Sequence, residues 1–347
     1  MKVLYVEDEL KLMCDRAVLP LFESLLTKKQ LRRLERLRSE DEFDSADLRD
    51  FFNNDKSIPI DVAITFPEAL DYVLNRTDEY ALFIVDRNLS GKSGDDYYER
   101  VVELKPDYSE ELYCRFEERE GDYLLEVLCI NKEVDCKKRF FMLTGNNDEL
   151  RVGDSVKTLI SHNKFEEKNI IDKTNDEGIR RLKSIVDSRG EIMARIRYPE
   201  LFRLEKHSEI RSGFTTAMLG LSLAVIKRPD MSREDIRARI APLRTSLMEL
   251  LKDVNNMEEM RYCTPPSDRG ERFMVDQLRT SRLGFIHPYA LLIYNTACET
   301  SAHPFEDKNF PTLNTLRAMM SAMGDICLWL DLAISATKER GGRSSKS

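Results

Sequence analysis

Five short apolar runs, each ending at a polar residue, punctuate the first half of the chain, and most stretches between them carry helical spacing. The runs are Lys2–Val6 (KVLYV), Ile60–Ile64 (IDVAI), Ala81–Val85 (ALFIV), Arg139–Thr144 (RFFMLT) and Asn169–Lys173 (NIIDK). Their length and their β-branched and aromatic content predict strands. From Leu10 to about Phe52 the apolar set Leu12, Val18, Leu19, Phe22, Leu25, Leu26, Leu31, Leu34 and Leu37 predicts helix. Phe66–Leu74 reads as a helix with Pro67 in its first turn, and another starts near Gly94 and runs through Tyr97, Val101 and Leu104. Asp148 to His162 is helical in pattern, and Thr174-Asn175-Asp176-Glu177 has the form of a capping box before Ile179, Leu182 and Ile185. Strands alternating with helices predict an α/β fold, a doubly wound five-stranded parallel sheet covered on both faces. The charged segment Pro106 to Lys138 fits a helix or a hairpin equally.

Beyond Asp187 strand signals fade. Glu191 to Lys338 shows long helical periodicity, broken at Pro199, at Arg228-Pro229-Asp230, at Thr264-Pro265-Pro266 and at Asn309-Phe310-Pro311. Sets such as Phe214, Met218, Leu221 and Val225, or Leu316, Met319, Met323 and Ile326, are core stripes of an all-α bundle. The expected organisation is an α/β domain over 1–187, a helical output or dimerisation domain over 188–338, and a disordered tail over 339–347.

Composition narrows the function classes. A chain of 347 residues with 33% charged and 41% hydrophobic residues has the makeup of a globular protein. Its net charge of −8 argues against general affinity for nucleic acid or an anionic membrane. Seven cysteines without a Cys-x-x-Cys pair, and four histidines far apart in sequence, give neither a zinc site nor a disulfide framework. The start, MKVLYVEDE, turns acidic too early for a signal peptide, and the longest apolar run, Ala217–Ile226, is too short to span a bilayer; a cytoplasmic location is expected. The basic run Lys28–Arg38, followed by Glu40, Asp41, Glu42, Asp44 and Asp47, reads as a solvated helical face.

The chemistry points to strand ends. Asp86 closes the most apolar run and is followed by Asn88, Gly91 and Gly94, so a buried strand delivers a carboxylate to a loop. Carboxyl ends of parallel strands are where open α/β sheets bind ligands. Glu7-Asp8-Glu9 forms a second acidic strand tip.

Together, Glu7, Asp8, Asp86, Thr144 and Lys173, in this order on predicted strand ends, resemble the receiver domain of two-component response regulators. The resemblance covers residues 1 to about 187. It implies a flavodoxin-like sheet, Glu7 and Asp8 as the acidic pair that binds Mg2+, and Asp86 as phosphoacceptor and metal ligand. It further implies Asn88 as donor of a backbone carbonyl to the metal, Thr144 as the hydroxyl, and Lys173 as the conserved lysine. Gly94 falls at the family's glycine position. The implied partners are a histidine kinase or phosphotransfer protein as phosphodonor and a downstream protein, with homodimerisation open. Ser90 stands where a proline is usual, and Ile170 where the aromatic switch residue is usual. Lys164 competes with Lys173 for the lysine role. Wide spacings from Asp8 to Asp86 and from Asp86 to Thr144 place insertions near 27–55 and 106–138, which surface loops tolerate.

Other readings stay beside this one. One is a receiver-like fold that is not phosphorylated and acts as a scaffold. The segment His207-Ser208-Glu209-Ile210-Arg211 resembles the phosphoacceptor helix of a histidine kinase, with Ser208 as an extra residue. Arg282-x4-His287 resembles the motif of helical ribonucleases of the HEPN type, although Pro288 follows the histidine directly. The first and preferred reading is a regulatory protein and not a dedicated enzyme.

Overall fold

The apolar runs do become strands, and they pair in parallel. The computed structural model describes residues 1–89, 96–145, 153–228, 230–257, 260, 270–302 and 311–344, without the side chains of 96, 301–302 and 339–344. β1 (Lys2–Val6), β2 (Ile60–Ala63), β3 (Tyr80–Asp86), β4 (Phe140–Thr144) and β5 (Ile170–Asp172) form one sheet in the order β2-β1-β3-β4-β5. Every pairing is parallel, with Val6 opposite both Ala63 and Val85, Asp86 opposite Leu143, and Thr144 opposite Asp172. The chain folds into two units, Met1–Ile192 and Met193–Ser347; the division falls slightly beyond the expected 187/188.

In the first unit the sheet is covered on both faces, which is why all of β3 is buried. Between β1 and β2 lie a π-helical turn (Cys14–Val18), α1 (Leu19–Phe22), α2 (Lys28–Arg38) and α3 (Ser45–Asn54). Thr27 with Gln30, and Asp44 with Asp47, form capping boxes that start α2 and α3. The stretch from Leu10 is less regular than its periodicity predicts, and Leu12 points to solvent. Tyr5, Phe22 and Phe52 stack edge-on along one face. On the other face Val6, Phe83, Val85 and Met142 pack with side chains of α4 (Phe66–Asn75) and α5 (Asp96–Leu104).

The insert before β4 is helical and not a hairpin: α6 (Glu110–Phe116), α7 (Glu120–Glu126), a π-helical turn (Val127–Asn131) and α8 (Cys136–Arg139). α9 (Asp154–Ser161) follows β4 and packs against α7. α10 (Asp176–Asp187), capped by the Asn175 side chain where the sequence suggested a Thr174 capping box, follows β5 and packs on α1. Gly91, Gly94 and Ser90 lie outside the described residues.

The second unit has no strand among its described residues. After α11 (Arg189–Arg197) and a 3-10 helix (Pro199–Lys206) come α12 (Ser212–Lys227), α13 (Arg233–Asn256), α14 (Glu271–Leu278), α15 (His287–Ala302) and α16 (Leu313–Ser344). Leu247, Leu251, Ile293, Met319, Met323 and Ile326 are among its fully buried core. Within α16, Leu313–Lys338 is long and apolar enough to cross a membrane by length and composition, longer than the Ala217–Ile226 run; 56% of its most apolar window is buried in the protein. The helix runs on to Ser344, into the segment expected as a disordered tail.

Candidate functional site

The strand order reverses between β1 and β3, and this is where the acidic tips meet. β1 lies between β2 and β3, so the residue after Val6 comes beside the end of β3. Glu7 continues the ladder through its N–H to the Ala63 carbonyl (3.0 Å), fixing its side chain next to Asp86. Carboxylate oxygens of Glu7, Asp8 and Asp86 lie within 4.8 Å of one another. Asp86 is 6% exposed, Glu7 is fully buried and Asp8 is half-buried.

Lys173 completes the cluster from the far side of β4. Its backbone N–H donates to the Thr144 carbonyl at 2.8 Å, which holds the residue at the tip of β5. Its ammonium donates to Asp86 Oδ2 at 2.6 Å and to Glu7 Oε1 at 3.0 Å. Thr144 ends β4 with its hydroxyl buried and unpartnered. Of the two candidate lysines, Lys173 reaches Asp86. Lys164 is exposed beside a separate cavity lined by Cys129 and Asn163.

Three carboxylates face one ammonium, and the electrostatics register the imbalance. Burial, then the Asp86 charge, raises the Glu7 pKa against the opposing pull of Lys173. Asp8 is raised for the same two reasons. Burial by itself would lower the Lys173 pKa, but Glu7 and Asp86 outweigh it and the ammonium is held charged. The Tyr5 hydroxyl, two residues before Glu7 on β1, is raised by burial and then by the same acids. A divalent cation suits this donor set: the ligands are hard oxygens, the buried charge is in deficit of a cation, and Asn88 sits two residues beyond Asp86 in the same loop.

Sequence reasoning missed the residues that hold the loop after Asp86. Arg87 donates its N–H to the Leu143 carbonyl (3.0 Å), and its guanidinium pairs with Asp122 of α7 at 3.2 Å, both side chains buried. Gly121 donates its N–H to the Arg87 carbonyl (3.0 Å), and Glu120 Oε2 accepts the Leu89 N–H (3.2 Å). Burial raises the Glu120 pKa, with the Asp8 charge adding to it. The one signal in the sequence was a glycine between two acids, Glu120-Gly121-Asp122; helical periodicity cannot put both acids on one face, since they stand about 200° apart around the axis. A cavity of about 760 Å³, lined by Asp15, Arg16, Lys173, Asp176 and Arg180 among others, opens beside Lys173.

In the second unit, His207 and the Arg282/His287 pair are placed differently from what the two enzymatic readings expect. His207 is not an exposed helical imidazole: it closes the 3-10 helix, is 7% exposed, and its Nε2 lies 2.8 Å from Asp331 Oδ1. Lys206 binds the same oxygen at 2.8 Å. Arg282 lies in an exposed turn while His287 opens α15, so the pair does not share a helix face. His303 lies outside the described residues.

The fold and site together define an α/β protein with a carboxylate–lysine cluster at the switch point of a parallel sheet, joined to a helical unit. No family model, no curated protein and no solved structure matches the chain.

Proposed function

We propose that the first unit is a receiver-type phosphoacceptor, modified on Asp86, and that its state controls protein contacts of the helical unit. The observation that carries this reading is the convergence of Glu7, Asp8, Asp86 and Lys173 from three strand tips, with the unpartnered Thr144 hydroxyl supplied by a fourth. A buried nucleophilic carboxylate, a fixed ammonium and a spare hydrogen-bond donor are what phosphoryl transfer to a carboxylate needs.

An Asp86 carboxylate oxygen attacks the phosphorus of a phosphohistidine or acyl phosphate, a P–O bond forms, and the bond to the donor atom breaks with its electron pair leaving on the donor. No proton has to be removed from an ionised carboxylate. Lys173 balances charge on the phosphoryl oxygens, and Thr144 has the hydroxyl to donate to one of them. Glu7, Asp8, Asp86 and the Asn88 carbonyl are the groups that would hold Mg2+, which when bound neutralises charge on the transferring group. The donor would be a histidine kinase or phosphotransfer protein, and the receiver of the signal a protein bound by the helical unit.

The test is intact mass after incubation with acetyl phosphate, with Mg2+ or with a chelator. Wild type should gain one phosphoryl group only with Mg2+, and Asp86→Asn should gain none. A wild type that stays unmodified under both conditions would remove the phosphoacceptor reading in favour of an unphosphorylated scaffold.

A further inference from the structure

Three consecutive residues of the insert grip the loop that follows Asp86. Glu120 Oε2 accepts the Leu89 N–H at 3.2 Å, the Gly121 N–H donates to the Arg87 carbonyl at 3.0 Å, and the Asp122 carboxylate accepts from Arg87 Nε at 3.2 Å and Nη2 at 3.3 Å. The peptide groups on both sides of Asn88 are therefore held. The Glu120 contact does more than tether the chain. The Leu89 N–H and the Asn88 carbonyl belong to one planar trans peptide and point in opposite directions, so a bond that fixes the N–H also fixes the line of the carbonyl oxygen.

A purely structural tie does not call for a carboxylate at this place. Glu120 is 6% exposed, and no lysine or arginine pairs with it among the described residues. Burying an unpaired carboxylate costs stability, and a glutamine oxygen would accept the same N–H at lower cost. What the negative charge adds is polarisation: an amide whose N–H meets a carboxylate carries more negative charge on its own oxygen.

We propose that Glu120 is a positioning residue for the metal site, orienting and polarising the Asn88 carbonyl as a ligand for the divalent cation. The proposal rests on the reading of Glu7, Asp8 and Asp86 as the carboxylate ligands of that cation. A neutral carbonyl strengthened from behind binds a cation more tightly without adding a fourth carboxylate to three that already repel one another. The insert thereby contributes to the site without touching the cation.

Mn2+ takes hard oxygen ligands as Mg2+ does, and its free form is counted by electron paramagnetic resonance while the full chain is titrated. Wild type should bind a Mn2+ ion that Asp86→Asn loses. Glu120→Gln keeps an oxygen for the Leu89 N–H and should keep wild-type hydrogen-exchange protection of the β3 amides, yet bind Mn2+ about tenfold more weakly. Glu126→Gln removes a charge from the same helix at a half-buried position near Arg115 and should bind as wild type does. Equal affinity in Glu120→Gln and wild type would overturn the proposal, and so would an equal loss in Glu126→Gln, which would make the effect one of overall charge. Lost β3 protection in Glu120→Gln would reduce Glu120 to a structural tie and overturn it as well. A wild type that binds no Mn2+ overturns this proposal together with the metal assignment. Binding that depends on Glu120, in a chain that gains no phosphoryl group from acetyl phosphate, upholds the positioning role and removes only the phosphoacceptor reading.

Discussion

Gly121→Ala places a methyl group where there is no room for one. A Cβ at residue 121 would stand 2.4 Å from the Asp86 carbonyl oxygen and 2.8 Å from Arg87 Cα, about 1 Å short of ordinary contact. Both neighbours are backbone atoms, so no side chain can rotate out of the way. Overpacking of this kind costs about 1–3 kcal/mol. Alanine's better helix propensity within α7 returns about 1 kcal/mol, which leaves a net loss of roughly 0–2 kcal/mol. The alternative to tolerating the clash is to push the loop behind Asp86 off α7. A displacement near 1 Å there would lower Asp86 phosphorylation by acetyl phosphate roughly a hundredfold. The single tryptophan, Trp329, lies in the helical unit, so stability of the α/β unit is better read by hydrogen exchange of β3 amides in urea. Unchanged protection of the β3 amides in Gly121→Ala would refute the close approach itself. Lost protection with an unchanged phosphorylation rate would instead show that the loop does not depend on α7 for its position.

Other perturbations separate charge from packing. Glu7→Gln removes a buried carboxyl whose pKa is raised, so ionised Glu7 destabilises the fold above its unfolded value of about 4.3. The variant should therefore melt higher than wild type at neutral pH, the gain should fade as pH drops through the raised pKa toward that value, and Mg2+-dependent phosphorylation should be lost; a lower melting temperature at pH 7 would contradict the burial argument. Lys173→Met leaves Glu7 and Asp86 without their ammonium and should cost roughly 3–5 kcal/mol near neutral pH, whereas Lys164→Met, at an exposed position, should stay within about 0.5 kcal/mol in urea titrations. His207→Ala leaves Asp331 with Lys206 alone and should destabilise the helical unit by about 1–3 kcal/mol, followed by Trp329 fluorescence, without changing phosphate incorporation on Asp86.

What the sequence made legible was what depends on short range. The runs KVLYV and ALFIV carry their strand identity in five residues, and parallel pairing of such strands puts residues 7, 86, 144 and 173 at one end of the sheet. The order of the strands then fixes which tips are adjacent. The insert could not be read this way, because its helices α6 to α8 are short and its key contact, Gly121 against the Asp86 backbone, links residues 35 apart through a close approach that no periodicity encodes. His207 failed for a related reason. Its partner Asp331 stands 124 residues downstream in sequence, so a histidine that reads as an exposed helical imidazole is a buried tie between the 3-10 helix and α16.

The same long-range contacts bear on how a change at Asp86 would leave the site. On the proposed receiver reading, the position where the family's aromatic switch residue is usual is Ile170, at the start of β5, which has no ring to move with the Thr144 hydroxyl. A different connection is built in. The residue after Asp86, Arg87, pairs with Asp122 of α7, and Gly153, which precedes α9, lies so close that a Cβ there would stand 2.7 Å from Asp122 Oδ2 and 3.8 Å from Arg87 Nη2. Any shift of the Asp86 loop that moves Arg87 must either carry Asp122 with it or break a buried ion pair, and a buried charge left without its partner is far more costly than a surface one. The Arg87–Asp122 pair therefore ties the β3 loop to the start of α9 through the insert, and the insert is the part of the chain that the compact strand pattern does not require.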